Sequence, residues 1–477
     1  MSHDAYGWWI QDAWGLDPKV SAATALDGES FEPLKVDTDA DVVVVGGGYS
    51  GMWAALRLAD SVAADRIVLL DSEVCGTGPS GRNGGFCDSF VEAAPRLLEQ
   101  FGETSARALV KESISNISTI GGLEARIGPF DFRQSGQLIA VAGAEQHLHG
   151  EELLNALEAM SLPSDTASLL SGEQARALCG SPRFERGLYL RDTATLNPGK
   201  LARNLRGALR ERGVRIYERS AVAKLETHTD GVAVVTRNGH RVRAHYGVLA
   251  AGVASAWLGR MEREVTMTSS HIVLTEPVPE ILHEIGWKQG LAVTDARYLV
   301  HYFRTTEDSR IVFGWGGGRI ARGAKPRWRE SVDSRVVTHT SAALKRVFPI
   351  LENVRIERAW GGPIDASPVH MPALRQFADG WVAAFGYTGN GVGPSKLLGD
   401  AMADIATGKF GPDHPARPLL IEDPVLLPPD PFKALGGTVI RRGLDTTERR
   451  GESGRRVPYW AKQAASIPDR LGYRIGR

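Results

Sequence analysis

The chain has 477 residues, 43% of them hydrophobic and 23% charged, with 56 basic against 56 acidic side chains and a formal net charge of +0. A chain of this length and composition holds two or three domains' worth of core, and its balanced charge provides no global field for nucleic acid or an anionic membrane. No apolar run approaches the roughly 20 residues of a spanning helix.

The N-terminus, Met1 to Tyr6, lacks a basic stretch followed by an apolar core, so no secretory signal is read there. Cys75, Cys87 and Cys179 are too few and too scattered for a disulfide framework or a zinc site, and no metal is expected. A soluble, cytoplasmic, reduced protein is the expectation. In the arm 1–40, Tyr6, Trp8, Trp9 and Trp14 supply enough aromatic surface to dock on the body, with a lid as the alternative.

The chain is organised around Asp41 to Asp71. Val42 to Val45 reads as a fully buried strand, and Gly46-Gly47-Gly48-Tyr49-Ser50-Gly51 follows at once with the spacing G-x-G-x-x-G. Met52 to Ala59 has helical spacing, and Arg66 to Leu70 is a second strand ending on Asp71, 20 residues past Gly51. Glycine triplets also make ordinary turns. Flanked by both strands and the acid, this one reads as a dinucleotide site. Gly46 takes the tight turn, Gly48 admits a pyrophosphate to the backbone, and Gly51 lets the helix lie close to the sheet. The helix N-terminus faces the phosphates, and Asp71, with Ser72 beside it, faces the ribose hydroxyls.

The next segment, 76–85, has five glycines in ten residues and cannot be regular helix. It is a flexible surface loop or a backbone that approaches something flat or anionic, and the embedded Arg82 and Asn83 favour cofactor contact. Between 90 and 195 nothing has a cofactor pattern. Pro95 to Ile127 reads as one amphipathic helix, Gly136 to Ala142 as a strand, and Glu151 to Met160 and Gly172 to Leu178 as shorter helices. Nucleotide-domain character returns with the helix Pro198 to Arg212, which has proline at its first position, and with strands at 214–217, 221–225, 232–236 and 246–252.

Residues 265–355 depart again. Ala296 to Arg304 and Arg310 to Trp315 read as a hairpin about Glu307 to Ser309, and Ser331 to Val347 as a helix. In the last block Trp360 to Asp365 reads as a turn and Trp381 to Phe385 as a strand. Gly386 to Gly393 is another glycine-rich turn, followed by a helix from Ser395 to Thr407. From 411 the chain is a proline-rich strap. The tail 431–477 carries eleven Lys/Arg against four Asp/Glu and reads as a solvated terminal extension, free or wrapped around the body, with a subunit contact (a homo-oligomer) or an acidic partner as alternatives.

The alternation of nucleotide-type and other segments, with Val45 to Gly51, Ser80-Gly81-Arg82-Asn83-Gly84-Gly85 and Gly386 to Val392, resembles the D-amino-acid oxidase superfamily of FAD-dependent oxidoreductases. The likeness is greatest to its amine-oxidising, γ-glutamylputrescine oxidase-like branch. The resemblance implies an α/β (α+β overall) fold: a Rossmann-like FAD-binding domain at 41–90, 196–264 and 356–410, interleaved with a substrate domain at 91–195 and 265–355 built on a mainly antiparallel sheet. It implies FAD rather than NAD. Gly46, Gly48, Tyr49, Ser50 and Gly51 would hold the pyrophosphate, and Ser80, Gly81, Arg82, Asn83, Gly84 and Gly85 would line the flavin and its linker. Val222 would read the adenine, and Ala251 and Gly252 would pass beneath the cofactor. Gly361, Gly389, Asn390, Gly391 and Val392 would face the isoalloxazine.

The chain departs from the family pattern at three places. No cysteine stands near Trp360–Asp365, so FAD is expected to be non-covalent. Gly362 occupies the place of the arginine that grips substrate carboxylates in glycine and D-amino-acid oxidases, and Gly393 that of the lysine of sarcosine-type oxidases. A buried carboxylate without a partner is costly. The expected substrate is therefore an amine without an α-carboxylate, or one whose carboxylate is read from another direction, with Arg304 as the nearest substitute. His301, Tyr302, Arg304, Trp315 and Tyr387 are the candidate catalytic side chains; His301 is also readable as a satisfied strand histidine, and Tyr302 and Trp315 as ordinary core packing. The implied reaction takes hydride from a CH–NH or CH–NH2 carbon to flavin N5, hydrolyses the imine, and returns the electrons to O2 as H2O2. A dehydrogenase passing electrons to a partner and a non-catalytic flavoprotein subunit are the alternatives.

Overall fold

Val42–Val45 is buried at every residue, which four consecutive β-branched side chains require of a central strand. It pairs in parallel with Ile67–Leu70 on one side and Tyr246–Leu249 on the other. The structure, a computed structural model, describes residues 2–3, 6–17, 26, 31–143, 146–258, 261–325 and 333–474. The Val42–Val45 sheet has six strands in the order Arg215–Tyr217, Ile67–Leu70, Val42–Val45, Tyr246–Leu249, Trp381–Phe385, Ala373–Phe377, and only the last pairing is antiparallel. Val42 and Val44 face a core shared with Met52 and Trp53 of the helix Tyr49–Leu58 and Leu398 of the helix Val392–Ala406. Val43 and Val45 face Val232, Val234 and Val242 of a four-stranded sheet, to which Thr38–Asp39 of the arm adds an edge. The helix Pro198–Glu211 starts on Pro198, with the Asn197 side chain accepting the Lys200 N–H at 3.1 Å.

The second sheet has nine strands, in the order Ser2–His3, Ile356–Ala366, Thr266–Thr275, Ile311–Trp315, His301–Thr305, Ala292–Asp295, Gln137–Val141, Arg186–Leu190, Ala167–Ser171. Most pairings are antiparallel; the first, and that between Ala292–Asp295 and Gln137–Val141, are parallel. The helix Ser334–Val347 covers one face, where Val337 and Leu344 pack on Phe303 and Phe313. The other face turns toward the six-stranded sheet's glycine loops.

Four sequence expectations need correction. Trp360 to Asp365 is not a turn. It lies inside the strand Ile356–Ala366, with Gly361 opposite His271 and Gly362 opposite Ser270, so 356–366 belongs to the large sheet. Trp360 is fully buried and donates its indole N–H to Arg82 O at 2.9 Å, which ties this strand to the second glycine loop. The single helix at 95–127 is Ala94–Gly122 with a break at Gly102 (φ 72°), then Glu124–Ile127. The strand expected at 296–304 begins only at His301, because Arg297 bonds Asp295 and the N–H groups of Tyr298 and Leu299 bond Glu448 outside the ladder. The tail is not a free solvated extension but wraps the body. It folds as helices Phe432–Glu452, Tyr459–Ala465 and Ile467–Arg470 against the body. In the arm, the helix Trp8–Trp14 buries Trp9 edge-on against Trp360. Ser331 and residues 475–477 lie outside the described residues.

Candidate active site

The first glycine turn has the geometry that the sequence motif requires. Gly46 has φ +109°, and a Cβ there would lie 2.4 Å from Ala250 O. A Cβ on Gly51 would fall 1.8 Å from Gly46 O, so only glycine lets this helix start so close to its strand. Gly48 caps the helix Tyr49–Leu58 with an extended backbone, and a Cβ there would meet only Ser80 Oγ, at 3.1 Å. Ser80 Oγ accepts the Tyr49 N–H at 2.9 Å, which pins the second glycine loop onto this helix N-terminus. Asp71 accepts N–H bonds from Gly47 and Glu73, each at 2.7 Å. Burial nevertheless raises its pKa to about 6, so added hydroxyl donors would favour its ionised form. In the loop, the Asn83 side chain donates to Ser80 O and accepts the Gly85 N–H, each at 2.7 Å, shaping the turn from within.

These residues open into a cavity of about 1020 Å³, at the upper end of ordinary small-molecule sites and large enough for a dinucleotide with a substrate beside it. Gly46, Gly48, Tyr49, Ser50, Asp71, Ser72, Ser80, Arg82, Asn83, Gly84, Val222, Ala251 and Gly252 line it. So do Gly389, Asn390, Gly391 and Val392, at the N-terminus of the helix Val392–Ala406. Gly389 has φ +95°, and a Cβ there would meet only Ile364 Cδ1, at 3.9 Å. Two helix N-termini, at Tyr49 and Val392 and so 343 residues apart in sequence, thus face one cavity.

The nine-stranded sheet supplies the floor. Thr266, Thr268, Ser270 and Ile272 alternate along one strand and all face the cavity, as the two-residue period requires. The Tyr302 ring lies flat over Gly314, where a Cβ would fall 2.0 Å from its Cζ, and meets Phe86 edge-on at 5.8 Å. Its hydroxyl bonds Ser270 Oγ at 2.7 Å, and burial pushes its pKa up to about 12. The Tyr387 hydroxyl bonds Ser50 Oγ at 2.6 Å, and burial raises its pKa well above the usual value. Asp365, which the sequence reading left without a role, lines the cavity, accepts the Gly386 N–H at 2.7 Å and is pushed by burial to about 6.

Several expected site residues lie elsewhere. His301 and Trp315 form a cross-strand pair on the sheet's far face, stacked toward His339, because they are one residue out of phase with the cavity-facing positions. His301 Nδ1 bonds Asp295 Oδ2 at 2.6 Å, and burial, opposed by that carboxylate, lowers its pKa. Arg304 shares Tyr302's face but sits further along, donating to Leu196 O at 2.7 Å with its guanidinium over the Trp9 ring. Buried there, with its pKa pushed down to about 10, it braces the arm and cannot grip a substrate in the cavity. Gly51, Gly81, Gly85 and Gly361 are absent from the lining, and the first three pack too tightly against neighbouring atoms to carry a side chain. The sequence reading missed the wall formed by Phe432, Gly436, Ile440, Arg441 and Leu444. The sequence signal for it was the helical spacing of apolar and small residues within the basic tail.

The glycine cradle, the paired helix N-termini and Asp71 fit a flavin dinucleotide, and comparison with known proteins decides the group. A family model described as DAO, FAD dependent oxidoreductase, matches residues 41–405. The chain belongs to this family. It is an FAD-dependent oxidoreductase, and none of its three buried cysteines lines the cavity to attach the cofactor covalently. The chain is 30% identical over 399 residues to gamma-glutamylputrescine oxidoreductase of Escherichia coli strain K12, covering 81% of this chain and 88% of that protein. It is 28% identical over 417 residues to the probable oxidoreductase OrdL of Rhizobium meliloti, covering 81% and 87% respectively. Glycine oxidase from Geobacillus kaustophilus shares the fold, with a TM-score of 0.65 at 18% identity over 81% of this chain and 99% of that one. Among the described residues of this DAO-family chain, no helix is long and apolar enough to cross a membrane.

Proposed function

We propose that the protein oxidises a C–N bond in a small amine whose α-carbon carries no carboxylate. The observation that carries this reading is the absence of a cation from the cavity floor, whose strands present one acid, Asp365, among the described residues. The strands of the large sheet present Thr266, Thr268, Ser270, Ile272, Tyr302, Gly362 and Ile364 to the cavity, and among the described residues they present no lysine or arginine. Gly362 lines the cavity with open space at its Cβ, so nothing occupies the place of an α-carboxylate anchor. At Gly393 a Cβ would lie 2.2 Å from Asp88 O, so no anchoring side chain fits there either.

Held by the two glycine turns and Asp71, FAD would supply a two-electron acceptor for the hydride of the amine's α-carbon, with oxygen as the oxidant that regenerates it and is reduced to peroxide. The chain's own residues orient and dehydrate the amine. Ile272, Pro363 and Ile364 make an apolar stretch of floor that disfavours an ammonium and so favours the neutral amine from which hydride can leave, while Asp365 beside them, pushed by burial to about 6, is the one acid these strands present there among the described residues. The Tyr302 hydroxyl, held by Ser270 and un-ionised up to about pH 12, offers a fixed hydrogen bond beside that floor. Backbone N–H groups at Gly389 to Val392, with the dipole of the helix they open, favour negative charge at the opposite wall. Water then hydrolyses the imine to a carbonyl compound and an amine.

In air, a turned-over substrate is expected to yield one carbonyl product and one peroxide per oxygen consumed; rapid electron transfer to an artificial acceptor with no peroxide would contradict the oxidase reading. Gly362→Arg should add the missing anchor without disturbing the fold, since its Cβ meets nothing. Its kcat/KM for glycine and D-alanine is expected to rise at least tenfold over wild type, in steady-state peroxide assays, while that for uncharged amines falls.

A further inference from the structure

The family match ends at residue 405, yet the chain beyond it forms one wall of the cavity. On the helix Phe432–Glu452, positions 432, 433, 436, 437, 440, 441 and 444 line the cavity, a single continuous helical face. That face is apolar or small except for two cations. Lys433 is committed to Glu262 O at 2.7 Å, Val265 O at 3.2 Å and Asp430 at 3.7 Å. Arg441 donates one bond, from Nη1 to Gly317 O at 3.2 Å, and pairs with no carboxylate among the described residues. The nearby acids are engaged elsewhere: Asp333 bonds Arg319, and Asp445 lies 3.8 Å from Arg449.

We propose that Arg441 receives an anionic group of the substrate, remote from the C–N bond that is oxidised, so that the substrate is an amine with a carboxylate at its far end. The position of Arg441 bounds the separation. Gly314 lies opposite Tyr302 in the ladder, and Gly317, which holds the guanidinium, follows three residues later, two past the end of the strand at Trp315, and so at most roughly 10 Å away. An anion at Arg441 therefore leaves the amine end of an extended chain near Tyr302, over the cation-free floor. The arginine is half-buried, and burial, opposed by Asp445 and Asp333 and aided by Arg442 and Arg319, works against its charge, which a bound carboxylate would relieve. The C-terminal half of the helix is anchored, which holds Arg441 in position. Glu448 accepts the N–H groups of Tyr298 and Leu299, and Glu452 pairs with Arg297.

This inference rests on the amine-oxidation reading, and one experiment separates the two. Wild-type holoenzyme and Arg441→Gln are assayed with ω-amino carboxylates of increasing chain length and with the corresponding uncharged amides. The proposal expects one chain length to be preferred by wild type. For that acid Arg441→Gln should raise KM at least tenfold with little change in kcat, Arg441→Lys should recover part of the loss, and the amide should respond to neither substitution. A non-oxidisable dicarboxylate of matching length should perturb the wild-type flavin spectrum and should do so in Arg441→Gln only at tenfold higher concentration. Equal KM values for acid and amide in wild type, unchanged in Arg441→Gln, would overturn the role of Arg441 and leave amine oxidation standing. Failure of wild type to oxidise any amine of the series while it oxidises another class of donor would overturn both.

Discussion

Protein carrying Gly48→Val is expected to fold and to purify without flavin. The backbone at Gly48 is extended (φ −76°, ψ −175°), a conformation open to any residue, and a Cβ meets only Ser80 Oγ at 3.1 Å. The isopropyl group therefore costs the empty fold little. It projects into the cavity at the N-terminus of the helix Tyr49–Leu58, where a pyrophosphate would approach the free N–H groups. Losing two charge-assisted hydrogen bonds of roughly 1.5–3 kcal/mol each weakens FAD binding by at least about a hundredfold. Circular dichroism should match wild type, while flavin absorbance is lost and returns only at high added FAD. Gly51→Ala is the contrasting variant, because its methyl would lie 1.8 Å from Gly46 O and its damage should appear in the melting temperature. A yellow Gly48→Val protein with unchanged FAD affinity would remove the first glycine turn from the cofactor site.

The second large effect is expected at Glu448, far from the flavin motifs. Glu448 Oε1 accepts the N–H groups of Tyr298 at 2.7 Å and Leu299 at 3.3 Å and so joins the C-terminal helix to the cavity's sheet. Glu448→Ala leaves both donors without an acceptor, at a cost of roughly 3 kcal/mol. Proteolytic removal of the tail should accelerate at least about a hundredfold, and KM should rise as the wall loosens. The contact also carries a pH dependence. Burial raises the Glu448 carboxyl to about 7, with Arg297 opposing and Asp295 adding to the shift. A carboxyl whose docked pKa is raised favours docking below its free pKa and loses that contribution as pH rises through about 7. Protection of the tail from protease should thus fall between pH 5 and pH 8, and Glu448→Gln, which keeps an acceptor but does not titrate there, should flatten the profile. Equal tail protection in wild type and Glu448→Ala would show that the helix is held by packing alone.

Local motifs made the cofactor half legible. Val42 to Asp71 could be read because a strand buried on both faces, a glycine turn and an acid are all written within one short segment. The floor was harder. Trp360-Gly361-Gly362-Pro363 has turn composition, and only the cross-strand partners His271, Ser270 and Ser269 and the burial of Trp360 show that it runs straight. His301, Tyr302, Arg304 and Trp315 were grouped as one site, but strand alternation divides them. Which face meets the cavity depends on which face the helix Ser334–Val347 covers, and that is not local information. The tail's charge suggested a solvated extension, while the positions that decide its docking, Ile440, Gly443, Leu444 and Glu448, are a minority within it.

The claim at the centre of this account is that the cavity accepts amines and not α-amino acids. Anaerobic mixing of the holoenzyme with single donors, followed by the loss of flavin absorbance, measures this before oxygen or any partner acts. Rapid bleaching by amines without an α-carboxylate, together with at least a hundredfold slower bleaching by glycine and D-alanine, is the predicted result. Rapid bleaching by glycine or D-alanine would contradict it.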